Sequence, residues 1–239
     1  EEIIESVGSG KDTLALMPTG GGKSLTFQVP AMAKEGICLV ITPLIALMKD
    51  QVENLKIRKI KALAIHSGLS RVEIGHALDN CIYGDSKFLY LSPERLSTDL
   101  FRAKVQLMNV NLIAVDEAHC ISQWGYDFRP SYLKISELRE ILPDVPILAL
   151  TATATPSVAQ DIMQKLGFTE MNLLKKSFER KNIAYVVRRT EDKHKELVKI
   201  ASKIRGSGIV YVRNRKKTRE IAELLNNEGL GADFYHAGL

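Results

Sequence analysis

The chain has 239 residues, 45% of them hydrophobic and 26% charged, with a formal net charge of +5. That is ordinary globular usage, which excludes a disordered chain, and the length suits one large α/β domain or one domain plus part of another. No apolar run approaches the roughly 18 residues of a membrane span and no basic-then-apolar leader opens the chain, so a soluble protein without a membrane partner is expected. The first residue, Glu1, is not a methionine, and the chain is expected to be a piece of something longer.

In chain order, the apolar runs are TLALM (13–17), ICLVIT (37–42), ALAIH (62–66), FLYLS (88–92), LIAVD (112–116) and ILALTA (147–152). Helical patterns lie between them, such as LIALMKDQVENLKI (44–57) and PSVAQDIMQKLG (156–167), the second closing on a glycine. Strands that are apolar without alternation, spaced by helices, predict a doubly wound α/β domain: a parallel sheet covered on both faces. After Gly167 the rhythm loosens through a polar stretch with one weak strand. It restarts with IAYVVRR (183–189), a charged helix, GIVYVR (208–213), another helix and ADFYHAGL (232–239), which predict three further strands. The expected boundary is near Arg180, giving a domain over 1–179 and the beginning of a second over 180–239, a unit too small for more than a marginal core.

Charge follows that division. Residues 180–239 hold 14 Lys/Arg against 7 Asp/Glu, while the preceding 179 hold 19 against 21. A basic last quarter suggests a polyanion partner, although a solvated helix face would read the same way. Cys38, Cys81 and Cys120 are scattered and odd in number, which fits buried reduced thiols better than a zinc site.

MPTGGGKS (17–24) follows the first strand and opens a helix. It has the form G-x-x-x-x-G-K-[ST] with Met17 in the first glycine's place. Phosphate oxygens need backbone N–H groups from a loop without Cβ atoms, together with a helix N-terminus. Thr19, Gly20, Gly21, Gly22, Lys23 and Ser24 are therefore the candidate nucleotide loop. Lys23 would reach the β/γ-phosphates and the Ser24 hydroxyl would ligate Mg²⁺. The alternative is a glycine-rich turn carrying a solvated lysine.

AVDEAHC (114–120) supplies a second half. Asp116, at the end of an apolar strand, can hold Mg²⁺, and Glu117 can orient and deprotonate a water. His119 joins them as a candidate catalytic residue. In ALTATAT (149–155), Thr151 and Thr153 end another strand, where parallel sheets place their ligand chemistry, and can hydrogen-bond the Asp-Glu-Ala-His segment. Thr155, before Pro156, is the predicted cap of the next helix.

The ordered set MPTGGGKS, TPLIALMKDQ (42–51), DEAH (116–119), SQWGYDFRPSY (122–132) and LTATAT (150–155) resembles superfamily 2 helicases, specifically the RecQ family of DNA helicases, over essentially the whole chain. The resemblance implies a RecA-like motor lobe followed by the start of a second. It implies ATP and Mg²⁺ as cofactors, and movement 3′ to 5′ on single-stranded and partly duplex DNA. It also implies roles in repair and recombination, in a bacterial type of cytoplasm at the nucleoid. In the family, SQWGYDFRP is the aromatic-rich loop that couples DNA to ATP. Trp124, Tyr126 and Phe128 are suited to stacking on unpaired bases, at about 1–3 kcal/mol per base. The competing reading makes Trp124 an anchor of the loop in the core. By the same resemblance Gln123 and Arg129 connect the loop to the nucleotide site, and Thr42, Pro43, Gln51, Ser92 and Arg95 contact a sugar-phosphate track. The family's adenine-reading glutamine is expected upstream of Glu1. Its γ-phosphate arginines and its zinc-binding and winged-helix regions are expected beyond Leu239. An RNA helicase with a similar motor, or a nucleic-acid-binding piece without turnover, are the rival readings.

Overall fold

The computed structural model describes every residue except Tyr126, residues 178–181 and residues 237–239. The expected boundary at Arg180, the middle aromatic of the coupling loop and the end of YHAGL lie outside the described residues. The chain divides into two compact units, residues 1–179 and 180–239.

In the first unit, β1 (Thr13–Leu16), β2 (Ile37–Ile41), β3 (Ala62–Ile65), β4 (Phe88–Leu91), β5 (Val110–Val115), β6 (Ile147–Thr151) and β7 (Leu173–Lys175) form one sheet. All its pairs are parallel, in the order β3-β4-β2-β5-β6-β1-β7. The doubly wound α/β fold is therefore as expected, and the weak strand after Gly167 is the edge strand β7. The helices are α1 (Glu2–Gly8), α2 (Lys23–Met32), α3 (Ile45–Ile57), α4 (Arg71–Tyr83), α5 (Asp99–Val105), α6 (Leu138–Ile141) and α7 (Pro156–Lys165).

The strands read as unbroken apolar runs because successive side chains enter two different cores. Leu39, Ile41, Leu89, Leu91, Ile113 and Val115 face one side, where α4, α5 and α7 cover them. Cys38, Val40, Phe88, Tyr90, Leu112 and Ala114 face the other, beneath α1, α2 and α3. Each fully buried Leu, Ile or Phe stabilises the sheet by about 1.5–3 kcal/mol relative to leaving it in water. Local signals agree with these boundaries. Thr155 Oγ1 accepts from Val158 N–H (3.4 Å) at the start of α7, and Gly167 takes the left-handed conformation (φ +68°) just past its end. Asp12 clasps the sheet's lower end, accepting from Ile147 N–H (2.8 Å) and pairing with Arg139 (2.9 Å).

Among the described residues of the second unit the helices form and no strand does. Helices α8 (Lys193–Lys203) and α9 (Arg215–Asn227) are capped by Asp192 and Asn214, each of which accepts from a first-turn N–H. The predicted strands IAYVVRR, GIVYVR and ADFYHAGL are corrected: none of their described residues lies in a strand. A helix closes its hydrogen bonds within itself, but a strand exists only as half of a ladder. These segments have no ladder, and Tyr185 and Val187 remain 85% and 95% exposed.

Candidate nucleotide site and coupling loop

The loops leaving β1, β2, β5 and β6 meet at one end of the sheet, because the strands are parallel and their carboxyl ends coincide. Between β1 and α2, Gly20 (φ +76°) and Gly22 (φ +85°) take the left-handed conformation that glycine adopts without strain. A Cβ on Gly21 would approach the Pro18 carbonyl oxygen to 2.8 Å. The loop thus needs its glycines for its shape, and it ends on the N-terminus of α2, whose first residues are Lys23 and Ser24. Met17, in place of the first glycine, is buried in the core.

Register brings the other halves in. Val115 pairs with Ile41 and Leu16 with Thr151. Asp116 N–H continues that ladder to the Ile41 carbonyl (2.8 Å), and Met17 N–H reaches the Thr151 carbonyl (3.0 Å). Glu117 then adopts a left-handed backbone (φ +48°), uncommon for a residue with a Cβ and concentrated at functional sites. Its N–H donates to Asp116 Oδ1 (3.0 Å). Its carboxylate lies 3.6 Å from Lys23 Nζ and 3.3 Å from His119 Nδ1. The same His119 nitrogen is 2.9 Å from Thr151 Oγ1. Lys23, Glu117, His119 and Thr151 therefore form one connected polar chain. Thr153 adds its backbone N–H, which donates to Thr151 Oγ1 (3.2 Å).

The charges are set by these contacts. Burial raises the Asp116 carboxyl above its ordinary range, and the Glu117 carboxylate raises it further. Glu117 is lowered, first by its hydrogen bond to His119 and also by Lys23. His119 is pushed up to about 9 by hydrogen bonds to the Cys120 side chain and to Glu117, so it is an imidazolium at neutral pH and its Nδ1–H donates. Asp116 is the group that a cation would relieve.

A cavity of about 430 Å³ opens over these residues, lined by Thr19, Gly20, Gly22, Lys23, Ser24, Asp116 and Glu117. Phe27, Leu47 and Tyr90 also line it, and none of them was singled out in the sequence because they read as core residues of a helix or strand. Tyr132 was missed for a similar reason. Its buried hydroxyl donates to the Asp116 carbonyl (2.9 Å) and braces the acidic turn.

Thr42 and Gln51, which the resemblance assigns to a sugar-phosphate track, are in the wall of this same cavity. Of the others on that track, Ser92 is buried, Pro43 is half-buried and Arg95 donates to the His66 carbonyl (3.0 Å).

The loop after the acidic turn folds back on it. Arg129 N–H donates to the Cys120 carbonyl (2.8 Å), and a Cβ on Gly125 would come within 2.7 Å of the His119 carbonyl oxygen. Trp124 is 79% exposed, which removes the reading in which it anchors the loop in the core. Phe128 is half-buried, with Lys165 Nζ 6.0 Å from its ring centre. Arg129 pairs with Asp127 (2.8 Å). Among the described residues, no hydrogen bond joins Gln123 or Arg129 to the site carboxylates.

These features belong to a helicase family. The DEAD/DEAH box helicase family matches residues 1–162, and the chain belongs to it. Along its whole length the chain is 42% identical to the ATP-dependent DNA helicase RecQ of Haemophilus influenzae and 44% identical to the probable ATP-dependent DNA helicase RecS of Bacillus subtilis. It spans 39% and 49% of those two proteins. Among solved structures, it is similar in fold to the DUF1998 helicase MrfA (TM-score 0.70, 19% identity, 98% of this chain and 39% of that one). Among the described residues, no helix is long and apolar enough to cross a membrane.

Proposed function

We propose that residues 1–179 are the first RecA-like lobe, and 180–239 the beginning of the second, of a RecQ-type DNA helicase. It would couple ATP hydrolysis to 3′-to-5′ movement on single-stranded DNA and to opening of partly duplex DNA. Repair and recombination at a bacterial nucleoid are the setting the resemblance suggests. The observation that carries this reading is the polar chain Lys23–Glu117–His119–Thr151 beside the glycine loop. The relatives' names, ATP-dependent DNA helicase, support the substrate and the nucleic acid.

The residues fit a nucleotide with its metal. Gly20 and Gly22 place backbone N–H groups at a helix N-terminus, where phosphate is favoured, while Gly21 N–H closes the turn onto the Pro18 carbonyl (3.0 Å). Ser24 and the desolvated Asp116 would hold Mg²⁺, an oxygen-seeking cation that neutralises phosphate charge when bound. In the structure Lys23 is engaged with Glu117. Drawing Lys23 to the phosphates removes one of the cations that hold the Glu117 carboxyl down, which makes Glu117 a better base for the attacking water. The water's proton would pass to a Glu117 oxygen as the water oxygen bonds to the γ-phosphorus, and the bond from that phosphorus to the bridging oxygen would break with its electron pair leaving on ADP. His119 keeps Glu117 oriented and ties it to Thr151 at the end of β6.

Trp124 and Phe128 would stack on bases. Because their loop hangs on the backbone of His119 and Cys120, strand binding and the catalytic carboxylates share one short stretch of chain. The test is ATP turnover by the complete protein that carries this chain, with and without single-stranded DNA, for wild type and Glu117→Gln. The variant should bind nucleotide and lose turnover by about 10²–10⁴-fold. Stimulation by RNA rather than DNA would favour the RNA-helicase reading, and loss of nucleotide binding would contradict the role given to Glu117.

A further inference from the structure

Two side-chain hydroxyls in the wall of the nucleotide cavity are buried and lack a hydrogen-bond partner among the described residues: Thr42 Oγ1 and Tyr90 Oη. A buried hydroxyl without a partner destabilises the state that contains it, so such atoms normally await a water or a ligand. Tyr90, on β4, has Gln28 beside it. Thr42 sits elsewhere. In the parallel pairing of β2 with β5, Val40 faces Ala114 and Ile41 faces Val115. The next positions in register are Thr42 and Asp116, so both side chains leave the sheet on the same face. Thr42 and Asp116 line the same cavity, and the Thr42 hydroxyl makes no hydrogen bond among the described residues. The arrangement is a hydroxyl and a carboxylate in the wall of one cavity.

We propose that Thr42 is a positioning residue for the divalent cation, its hydroxyl hydrogen-bonding a water that the cation keeps on the Asp116 side of the cavity. Mg²⁺ gives up its waters reluctantly and is held by one or two carboxylates plus phosphate oxygens, so the groups around its site contact it through water. Groups behind the direct ligands commonly set metal affinity by 10–100-fold. Residue 42 is 2% exposed, which leaves no surface for a DNA phosphate in this state. A purely structural role does not account for the hydroxyl either, since valine would fill the same volume without an unpaired polar atom.

The inference rests on the reading of this cavity as a site for a nucleotide with its metal, and the experiment separates the two. Binding of a fluorescent ATP analogue to the 239-residue chain is measured in Mg²⁺ and in EDTA for wild type, Thr42→Val and Thr42→Ser. Thermal midpoints are measured without ligand. The expected result is that Thr42→Val weakens binding about tenfold in Mg²⁺, leaves binding in EDTA unchanged, and melts no lower than wild type. Thr42→Ser should restore the Mg²⁺-dependent affinity. Equal Mg²⁺-dependent binding by Thr42→Val and wild type would overturn the inference alone. An equal loss in EDTA would overturn it too, pointing to the shape of the wall. If Thr42→Val does not fold, Thr42→Ala is read by the same criteria. Wild type that binds the analogue no better in Mg²⁺ than in EDTA would sink the reading of the cavity and the inference with it.

Discussion

ICLVI at 37–41 and GIVYV at 208–212 are near-equivalent in sequence, each a short run of β-branched and aliphatic residues. The first is the strand β2, between β4 and β5, with Leu39 completely buried. The second is no strand, and Ile209 and Tyr211 stand in solvent. Both runs are rich in residues that favour strands, so propensity by itself does not separate them. What separates them is company: β2 has a ladder on each edge and a helix layer on each face. Residues 1–179 therefore have a formed core and a formed site, whereas among the described residues of 180–239 the regular structure is two helices, which carry 8 of the chain's 33 Lys and Arg.

The comparison is tested most severely by function. If the reacting groups lie entirely in the first unit, Lys23→Ala in the complete protein should abolish ATP turnover, because the loop has no second cation to replace it. Wild-type turnover in that variant would discard the phosphate-loop assignment. The converse concerns the second unit. An arginine supplied across a cleft is worth about 10³–10⁵ in kcat in phosphoryl-transfer enzymes, and on the proposed reading Arg213 and Arg215 would belong to the family's early second-lobe motif rather than to its γ-phosphate arginines. The 239-residue chain alone should consequently separate no strands, while still binding DNA in a salt-sensitive and sequence-independent way. ATP-dependent unwinding by it would show that the site is complete as it stands.

Stability sharpens the same contrast. Leu39→Ala removes a fully buried side chain from β2 and should cost about 2–5 kcal/mol. Ile209→Ala should stay within about 0.5 kcal/mol of wild type. Denaturant melts of both would show whether the strand-like runs differ as described, and equal losses would mean that Ile209 is packed after all. Trp124→Ala, exposed but in the first unit, should also leave stability nearly unchanged. Its effect should appear as weaker single-strand binding, by about 1–3 kcal/mol for each base it stacks. Titration with labelled oligonucleotide measures this, and unchanged affinity would remove Trp124 from the DNA surface.

A last expected effect is on pH dependence. His119 is raised from 6.5 to about 9 by Cys120 and Glu117, so the folded state holds a proton that the unfolded state releases between those values. Its contribution is fully present below pH 6.5 and is lost as pH rises through about 9. Relative to His119→Ala, wild type should therefore lose its advantage across that window, followed by melts at pH 6, 7.5 and 9.5. A constant difference would mean that the imidazolium is not what the pair holds.

The sequence by itself determined the six apolar runs of the first unit, the cap at Thr155 and the glycine after α7. It also determined the composition of the phosphate loop and the acidic turn. These follow from local chemistry: periodicity, a capping hydroxyl, glycines where no Cβ can stand. It did not decide which runs become strands, because 37–41 and 208–212 are both apolar runs of strand character and only the first has neighbours to pair with. Only the tertiary structure decided that Thr42 lies beside Asp116. That neighbourhood comes from the parallel register of β2 on β5, a pairing between residues more than 70 positions apart. It decided as well that Tyr132 reaches back to the Asp116 carbonyl, that Trp124 stands in solvent, and that Glu117 turns through a left-handed backbone toward Lys23 and His119. Such contacts depend on where strand ends converge, and strand order is a property of the folded sheet rather than of any stretch of chain.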